Sequence, residues 1–184
     1  SGYDLGLAWR SPDGRYSAEV TGYRLDVHDQ IAFTFDPVTF ASRYANIDRT
    51  RTLGVEVQAD ADLGSGFRLH GAYAYTDARD RSTGAWLVRV PFNQASAVLS
   101  WQGEKLGGAL TVRAEGKQAD ADPDTFARTV RRGFVTADLA GSYRVRQGLE
   151  LTARVENLFD KRYQQILGYG EPGIAGYVGV RFSD

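Results

Sequence analysis

Residues 148–182 read GLELTARVENLFDKRYQQILGYGEPGIAGYVGVRF. Leu149, Leu151, Ala153 and Val155 alternate with Glu150, Thr152, Arg154 and Glu156, which makes a strand with one oily and one charged face. A loop punctuated by Gly and Pro follows, and then a second alternating strand, Tyr177 to Phe182. Clean alternation and full charges on the wet face need a joint explanation. A strand pair of a transmembrane β-barrel supplies one, with lipid outside and a polar lumen inside.

Upstream of this pair the same two-residue period predicts seven more strands, about nine in all. They cover Tyr3–Arg10, Arg15 to about Ile31, Tyr44–Asp62, Phe67–Thr76, about Trp86–Trp101, Gly108–Lys117 and Val135–Arg146. In the second strand the oily parity switches near Gly22, from Tyr16, Ala18 and Val20 to Tyr23, Leu25 and Val27, and this predicts a bulge. Residues 32–43, with Phe33, Phe35 and Phe40, read as a loop, as does the charged stretch Gln118–Arg132.

The connections alternate between short, at Ser11, Leu63, Gly103 and Gln147, and long, at Ala32, Asp77, Gln118 and Asp160. Antiparallel strands crossing a slab put every second connection on the same side. All short turns therefore share one rim and all long loops the other, the asymmetry of periplasmic turns and external loops. The oily-face residues nearest the short turns are Trp9, Tyr16, Phe67, Trp101, Tyr143 and Phe182, an aromatic girdle at one interface. The competing reading is a soluble β-sandwich, whose dry core would expel the ionised residues found on nearly every inner face.

The composition is consistent with this fold class, an all-β antiparallel transmembrane β-barrel segment. The chain has 184 residues and a formal net charge of -1, so nothing electrostatic points to nucleic acid. It has no Cys, hence no disulfide framework or thiolate metal site, and no Met, which fits a piece of a longer gene product. No apolar run reaches the ~20 residues of a membrane helix, and the N-terminus does not read as a signal peptide.

Several segments resemble the C-terminal barrel of TonB-dependent outer-membrane receptors. Val155-Glu156-Asn157-Leu158-Phe159-Asp160-Lys161-Arg162-Tyr163 is similar to the family's xxNLFDKxY signature. Gly168-Tyr169-Gly170-Glu171-Pro172-Gly173 resembles its GYxxPGR loop, with Ile174 in place of Arg. Tyr44-Ala45-Asn46-Ile47 with Leu53-Gly54-Val55-Glu56 resembles its NIxxxxxxGxE strand. Arg89-Val90-Pro91-Phe92-Asn93-Gln94 resembles xxPxHQ, with Asn93 for the usual basic residue. The resemblance implies a receptor of about 22 strands whose plug and N-terminal strands are not in this chain, so that residues 1–184 form the C-terminal portion of the barrel. It implies the outer membrane of a Gram-negative bacterium, surrounding lipid, assembly by the barrel assembly machinery and TonB engaged through the missing N-terminal part. The final Phe182 is followed by Ser183-Asp184, whereas such barrels usually end on the aromatic residue.

The function implied is active uptake of a scarce nutrient, a corrinoid such as cobalamin or a ferric siderophore, with no reaction and no cofactor. The alternatives are a passive porin and a soluble β-rich ligand binder. Candidate ligand-contacting residues on the external loops are Phe35, Phe40, Tyr44, Trp86, Phe126, Tyr163 and Tyr169, whose rings offer area and stacking to a flat metal chelate or corrinoid. The family-motif positions are Asn157, Leu158, Phe159, Asp160, Tyr163, Pro172 and Gly173. Asp120, Asp122 and Asp124 have part of a calcium-loop spacing but lack its Gly and distal Glu, so a solvated acidic loop is expected. His28 and His70 sit in no spaced Ser/His/acid pattern, which leaves no catalytic candidate. Arg49, Arg51, Arg113, Arg144 and Arg154 are expected to pair on the lumen wall with Glu56, Glu115, Asp138 and Glu156.

Overall fold

A computed structural model describes residues 1–36, 39 and 41–183, with side chains for all of these except 30, 32–36, 42, 43 and 45–48. Eleven strands follow in chain order: β1 Gly2–Arg10, β2 Tyr16–Asp36, β3 Ala41–Gly64, β4 Phe67–Asp80, β5 Asn93–Gln102, β6 Leu106–Glu115, β7 Gln118–Ala121, β8 Arg128–Arg131, β9 Phe134–Arg146, β10 Leu149–Glu156 and β11 Ala175–Phe182. Nine form one antiparallel sheet in the order β1-β2-β3-β4-β5-β6-β9-β10-β11, and β7 and β8 form a separate ribbon. Every neighbour in the large sheet is a neighbour in sequence apart from that ribbon, the up-and-down meander of a barrel wall.

Among the described residues the buried apolar side chains are Ala78, Ala119 and Ala137 alone. Leu5, Leu7, Val20, Val57, Leu69, Leu99, Leu110, Leu139, Leu151 and Val180 all stand exposed. A water-soluble domain buries such residues and rarely exposes a contiguous apolar face this large. The register puts them on one side: Leu7 faces Val20, Val20 faces Val57, Leu99 faces Leu110, Leu110 faces Leu139 and Leu151 faces Val180. At the short-turn rim Phe67 lies against Trp101, ring centroids 6.1 Å apart, and the Trp101 indole N–H donates to the Ser65 carbonyl at 3.2 Å. The ring rests in the apolar band while its polar edge turns to the turn backbone, as interfacial Trp does.

The other face is wet. Arg113 pairs with Asp138 at 3.0 Å, Arg154 with Glu156 at 3.2 Å, Arg181 with Glu150 at 3.1 Å and His70 with Asp60 at 2.8 Å. Side chains this solvated contribute only ~0–1 kcal/mol per pair, so they hold register and polarity more than stability.

Four expectations change. The pairing of β2 with β1 and β3 runs without a shift through Gly22, so there is no bulge there. The oily parity switches because the strand leaves the lipid: the outward rows Val20–Val57–Tyr73 and Gly22–Val55–Tyr75 give way to Arg24–Leu53–Asp77 and Asp26–Arg51–Arg79. Above the bilayer, water lies on both sides of the wall. For the same reason Arg51 ion-pairs outward with Asp26 at 2.6 Å, and Arg49 shares its face, so neither is a lumen residue. Arg144 instead donates to the Glu104 carbonyl, and Glu115 takes Arg131 as partner.

The second change is that the expected loop at 32–43 is mostly strand, since β2 runs to Asp36 and β3 starts at Ala41. A strand needs only ~9–11 residues to cross the membrane, so this hairpin continues well beyond it. Phe40 lies outside the described residues, as do the side chains of Phe33 and Phe35. Third, β5 starts at Asn93 rather than near Trp86, and Pro91, which has no N–H for a ladder, sits just before it. Fourth, the Gln118–Arg132 loop carries the β7–β8 ribbon.

Candidate functional site

Three connections leave the long-loop rim between β4 and β5, β6 and β9, and β10 and β11, over residues 81–92, 116–133 and 157–174. They are tied together at Asp120, whose side chain is wholly buried. One carboxylate oxygen accepts the Arg89 Nε–H at 3.3 Å and its own neighbour's amide, Ala121, at 2.8 Å, and the other accepts the Leu167 amide at 3.1 Å. One residue from each connection thus meets at a single carboxylate. Burial alone would raise the Asp120 pKa, but the Leu167 and Ala121 amides and the Arg89 guanidinium outweigh it and hold the carboxyl below its ordinary value. The expected solvated acidic loop is therefore wrong for Asp120. Asp122 does hold a turn, accepting the Thr125 amide at 2.8 Å and the Asp124 amide at 3.1 Å.

Backbone contacts strengthen the knot. The Arg89 amide donates to Ala119 at 2.8 Å, Val88 bridges Ala119, and Gln118 Nε2 donates to the Gln165 carbonyl at 3.0 Å. Arg128 on β8 donates to the Trp86 carbonyl. At the ribbon's base, Arg131 is buried; it donates to the Gly116 and Arg132 carbonyls and to Glu115, and lies over the Phe134 ring at 5.1 Å.

The NLFDK stretch is a corner that steers the last connection off β10. Asn157 has a positive φ of 49°, a conformation Asn tolerates better than most residues. Its buried amide donates to the Lys161 carbonyl at 2.9 Å and the Pro172 carbonyl at 3.1 Å, and its oxygen accepts the Lys161 amide at 2.8 Å. Its own N–H donates to Asp138 Oδ1 at 2.9 Å, fixing the corner to β9. Asp160, φ 50°, accepts the Ile174 amide at 3.0 Å, and a side chain at Gly173 would collide with its carboxylate. Asn157, Asp160, Pro172 and Gly173 thus close the connection at both ends, while Phe159 stands exposed beside them. Leu158 anchors through its amide to the Ala137 carbonyl at 2.7 Å.

The aromatic candidates fall into different surroundings. Tyr163 is half-buried, 4.3 Å from Phe134, and lines a concavity of about 490 Å³ on the lumen side with Arg113, Glu115, Glu56 and Gln94. Burial, with the Glu171 and Asp138 carboxylates nearby, pushes its phenol above the ordinary value, so it remains a neutral donor. Phe126 at the ribbon tip and Tyr169 are exposed, and their segments touch: Gly168, φ 89°, leaves no room for a side chain against Pro123. Trp86 packs edge-on to Phe92 at 4.9 Å and lies under Arg79 at 5.4 Å. It bridges Arg79, which puts it at the outward side of the rim. Tyr44 is exposed on the separate β2–β3 hairpin. Trp86, Phe126, Tyr163 and Tyr169 are thus carried by the knotted connections, and Tyr44 is not. Sequence reasoning missed Asp120, Arg89, Gln118 and Arg131 as organising residues. Nothing in a charged loop marks which of its aspartates will be buried. Among the described residues no group of three or more His, Asp or Glu could hold a metal ion.

The sequence matches the TonB dependent receptor-like β-barrel family over residues 1–158, and the chain belongs to that family. Its barrels are outer-membrane proteins of Gram-negative bacteria, and the family is one of transport receptors rather than enzymes. The fold is shared with the ferric-catecholate import receptor Fiu from E. coli K12, at 18% identity and TM-score 0.79 over 98% of this chain and 27% of that one. It is shared with the copper transporter OprC, at 24% identity and TM-score 0.81 over 98% and 30%. The ferripyoverdine receptor of the Pseudomonas aeruginosa outer membrane, bound to ferripyoverdine, aligns at 20% identity and TM-score 0.77 over 98% and 26%. The chain spans less than a third of the length of each.

Proposed function

We propose that this chain forms the C-terminal part of the barrel wall of an outer-membrane receptor that takes up a small metal chelate, a ferric siderophore or a corrinoid, at the expense of energy delivered through TonB. The single observation that carries the reading is the knot at the external rim. A passive pore needs an open mouth, whereas here three connections are clamped through one buried carboxylate over a polar wall, and aromatic rings are held on them. Such rings supply area and stacking to a flat chelate. β1 and β11 each have one strand neighbour among the described residues. Open edges do not persist in lipid, so the wall continues on both sides into the rest of the receptor, where the plug and the segment that meets TonB belong.

The test is uptake by the full-length receptor in a host lacking its own ferric and corrinoid receptors. Labelled ferric siderophores, cobalamin and a copper chelate are offered with and without an uncoupler. The expected result is accumulation of one chelate class that the uncoupler abolishes. Uptake of several unrelated small solutes, indifferent to the uncoupler, would mark a porin and overturn the proposal.

A further inference from the structure

The lumen face of the wall is not uniform in charge. The concavity beside Tyr163, toward the external rim, is lined by three carboxylates, Glu19, Glu56 and Glu115, and one guanidinium, Arg113. A second concavity, of about 1050 Å³, lies toward the short turns, and its balance is reversed: Arg68, Arg154 and Arg181 against Glu150 alone. Register explains the hollow. One row across the wall reads Arg68–Ser100–Ala109–Ala140–Arg154–Tyr177, and the next toward the turns is Gly107–Ser142–Thr152–Gly179. Below these come Arg144, Glu150 and Arg181. Short side chains thus make a floor across four strands, roughly 14 Å wide at ~4.8 Å per strand, with long basic side chains at its border.

The basic groups are not used up. Among the described residues Arg68 has no ion pair, because Asp62, opposite it in register, accepts the Gly64 amide at 2.9 Å instead. Arg181 gives Glu150 one terminal nitrogen at 3.1 Å and Arg154 gives Glu156 one at 3.2 Å, and both arginines are more than half exposed. A guanidinium held through one nitrogen keeps further N–H groups for a second oxyanion. Arg154 also lies over the Tyr177 ring at 4.4 Å, so an aromatic face borders the floor. The hollow is at the upper end of the size of ligand sites. Spare cations, hydroxyls and one ring are the groups that hold an anionic chelate, and the carboxylates nearer the rim oppose its return.

We infer that this lower concavity is a binding station for a negatively charged metal chelate, occupied after the cargo leaves the rim and before it reaches the periplasm. The inference rests on the uptake reading above and adds a second site and a charge to it. The test uses the full-length receptor with a photoreactive benzophenone side chain at position 109, in the floor. Cells receive in turn ferric tris-catecholate, ferric citrate and cobalamin, each tritiated in its organic part, and are illuminated with and without an uncoupler. An anionic chelate should label the receptor only while uptake is energised. The double variant Arg68→Gln/Arg181→Gln should lower that labelling about fivefold, while binding of the same chelate at the cell surface, measured with the uncoupler present, is unchanged. Uptake of an anionic chelate without labelling at 109 overturns the inference and leaves the uptake reading standing, and so does uptake of cobalamin alone. Labelling that ignores the uncoupler, or that is undiminished in the double variant, also overturns it. Crosslinks from 109 to the plug that persist unchanged during uptake make the hollow a seat for the plug, with the same consequence. Absence of energised uptake of any chelate defeats the uptake reading and the inference with it. The labelling of the receptor with both arginines present does not depend on how the variant folds.

Discussion

Asp120→Ala in the full-length receptor is expected to open the external knot while leaving the wall folded. The substitution removes a wholly buried acceptor of two amides and the partner of the Arg89 guanidinium, which itself stays in contact with water. Buried donors left without partners cost about 1–3 kcal/mol each, and Arg89 can turn to water, so the two amides should lower the opening free energy of the loops by about 3 kcal/mol. Hydrogen exchange reads this directly: the Arg89 amide, bonded to Ala119, should exchange at least about a hundredfold faster, while amides in mid-β5 and mid-β6 should be unchanged.

Acid should act on the same carboxylate. Its pKa is depressed in the folded loops, so its contribution is complete above the ordinary aspartate value of 3.8 and is lost as pH falls through the lower folded value. The unaltered receptor should therefore keep its loops closed at neutral pH and loosen them in acid, and the Asp120→Ala variant should lack that acid step. Unchanged exchange at neutral pH would mean the carboxylate does not hold the loops.

Leu110→Arg and Thr111→Arg should differ sharply although the residues are neighbours. Leu110 projects outward between Leu99 and Leu139 near the middle of β6, while Thr111 projects to the lumen opposite Asp138. An arginine on the lipid face at mid-depth costs about 2–4 kcal/mol, and one in a wet lumen far less. Denaturant titration of the full-length protein in lipid vesicles should show Leu110→Arg less stable by that amount and Thr111→Arg within about 1 kcal/mol of the unaltered protein. Equal costs, or the reverse order, would put oil on the wrong side of the wall.

The wall was readable because a half-lipid, half-water environment writes itself into a two-residue period. β9, β10 and β11 follow directly from Leu139, Leu151 and Val180 alternating with charge. The period misled at Gly22 because alternation reports which side is oily, and above the bilayer no side is. The parity of Tyr23, Leu25 and Val27 was thus real, but it marked the end of the lipid rather than an inserted residue. The rim was hardly readable at all. Asn157 and Asp160 could be picked out by their resemblance to a motif, but the burial of Asp120 depends on Arg89 and Leu167, 31 and 47 residues away in sequence. No local pattern records partners that far off.

The central claim is that lipid touches one face of this wall and water the other. Single cysteines placed in turn at positions 150–155 of β10 in the full-length receptor, each spin-labelled in a bilayer, measure that directly through collision with oxygen or with a water-soluble nickel chelate. Labels at 151, 153 and 155 should collide with oxygen and exclude the chelate, and those at 150, 152 and 154 should do the opposite. A profile without a two-residue period, or one with the phases exchanged, would contradict the account.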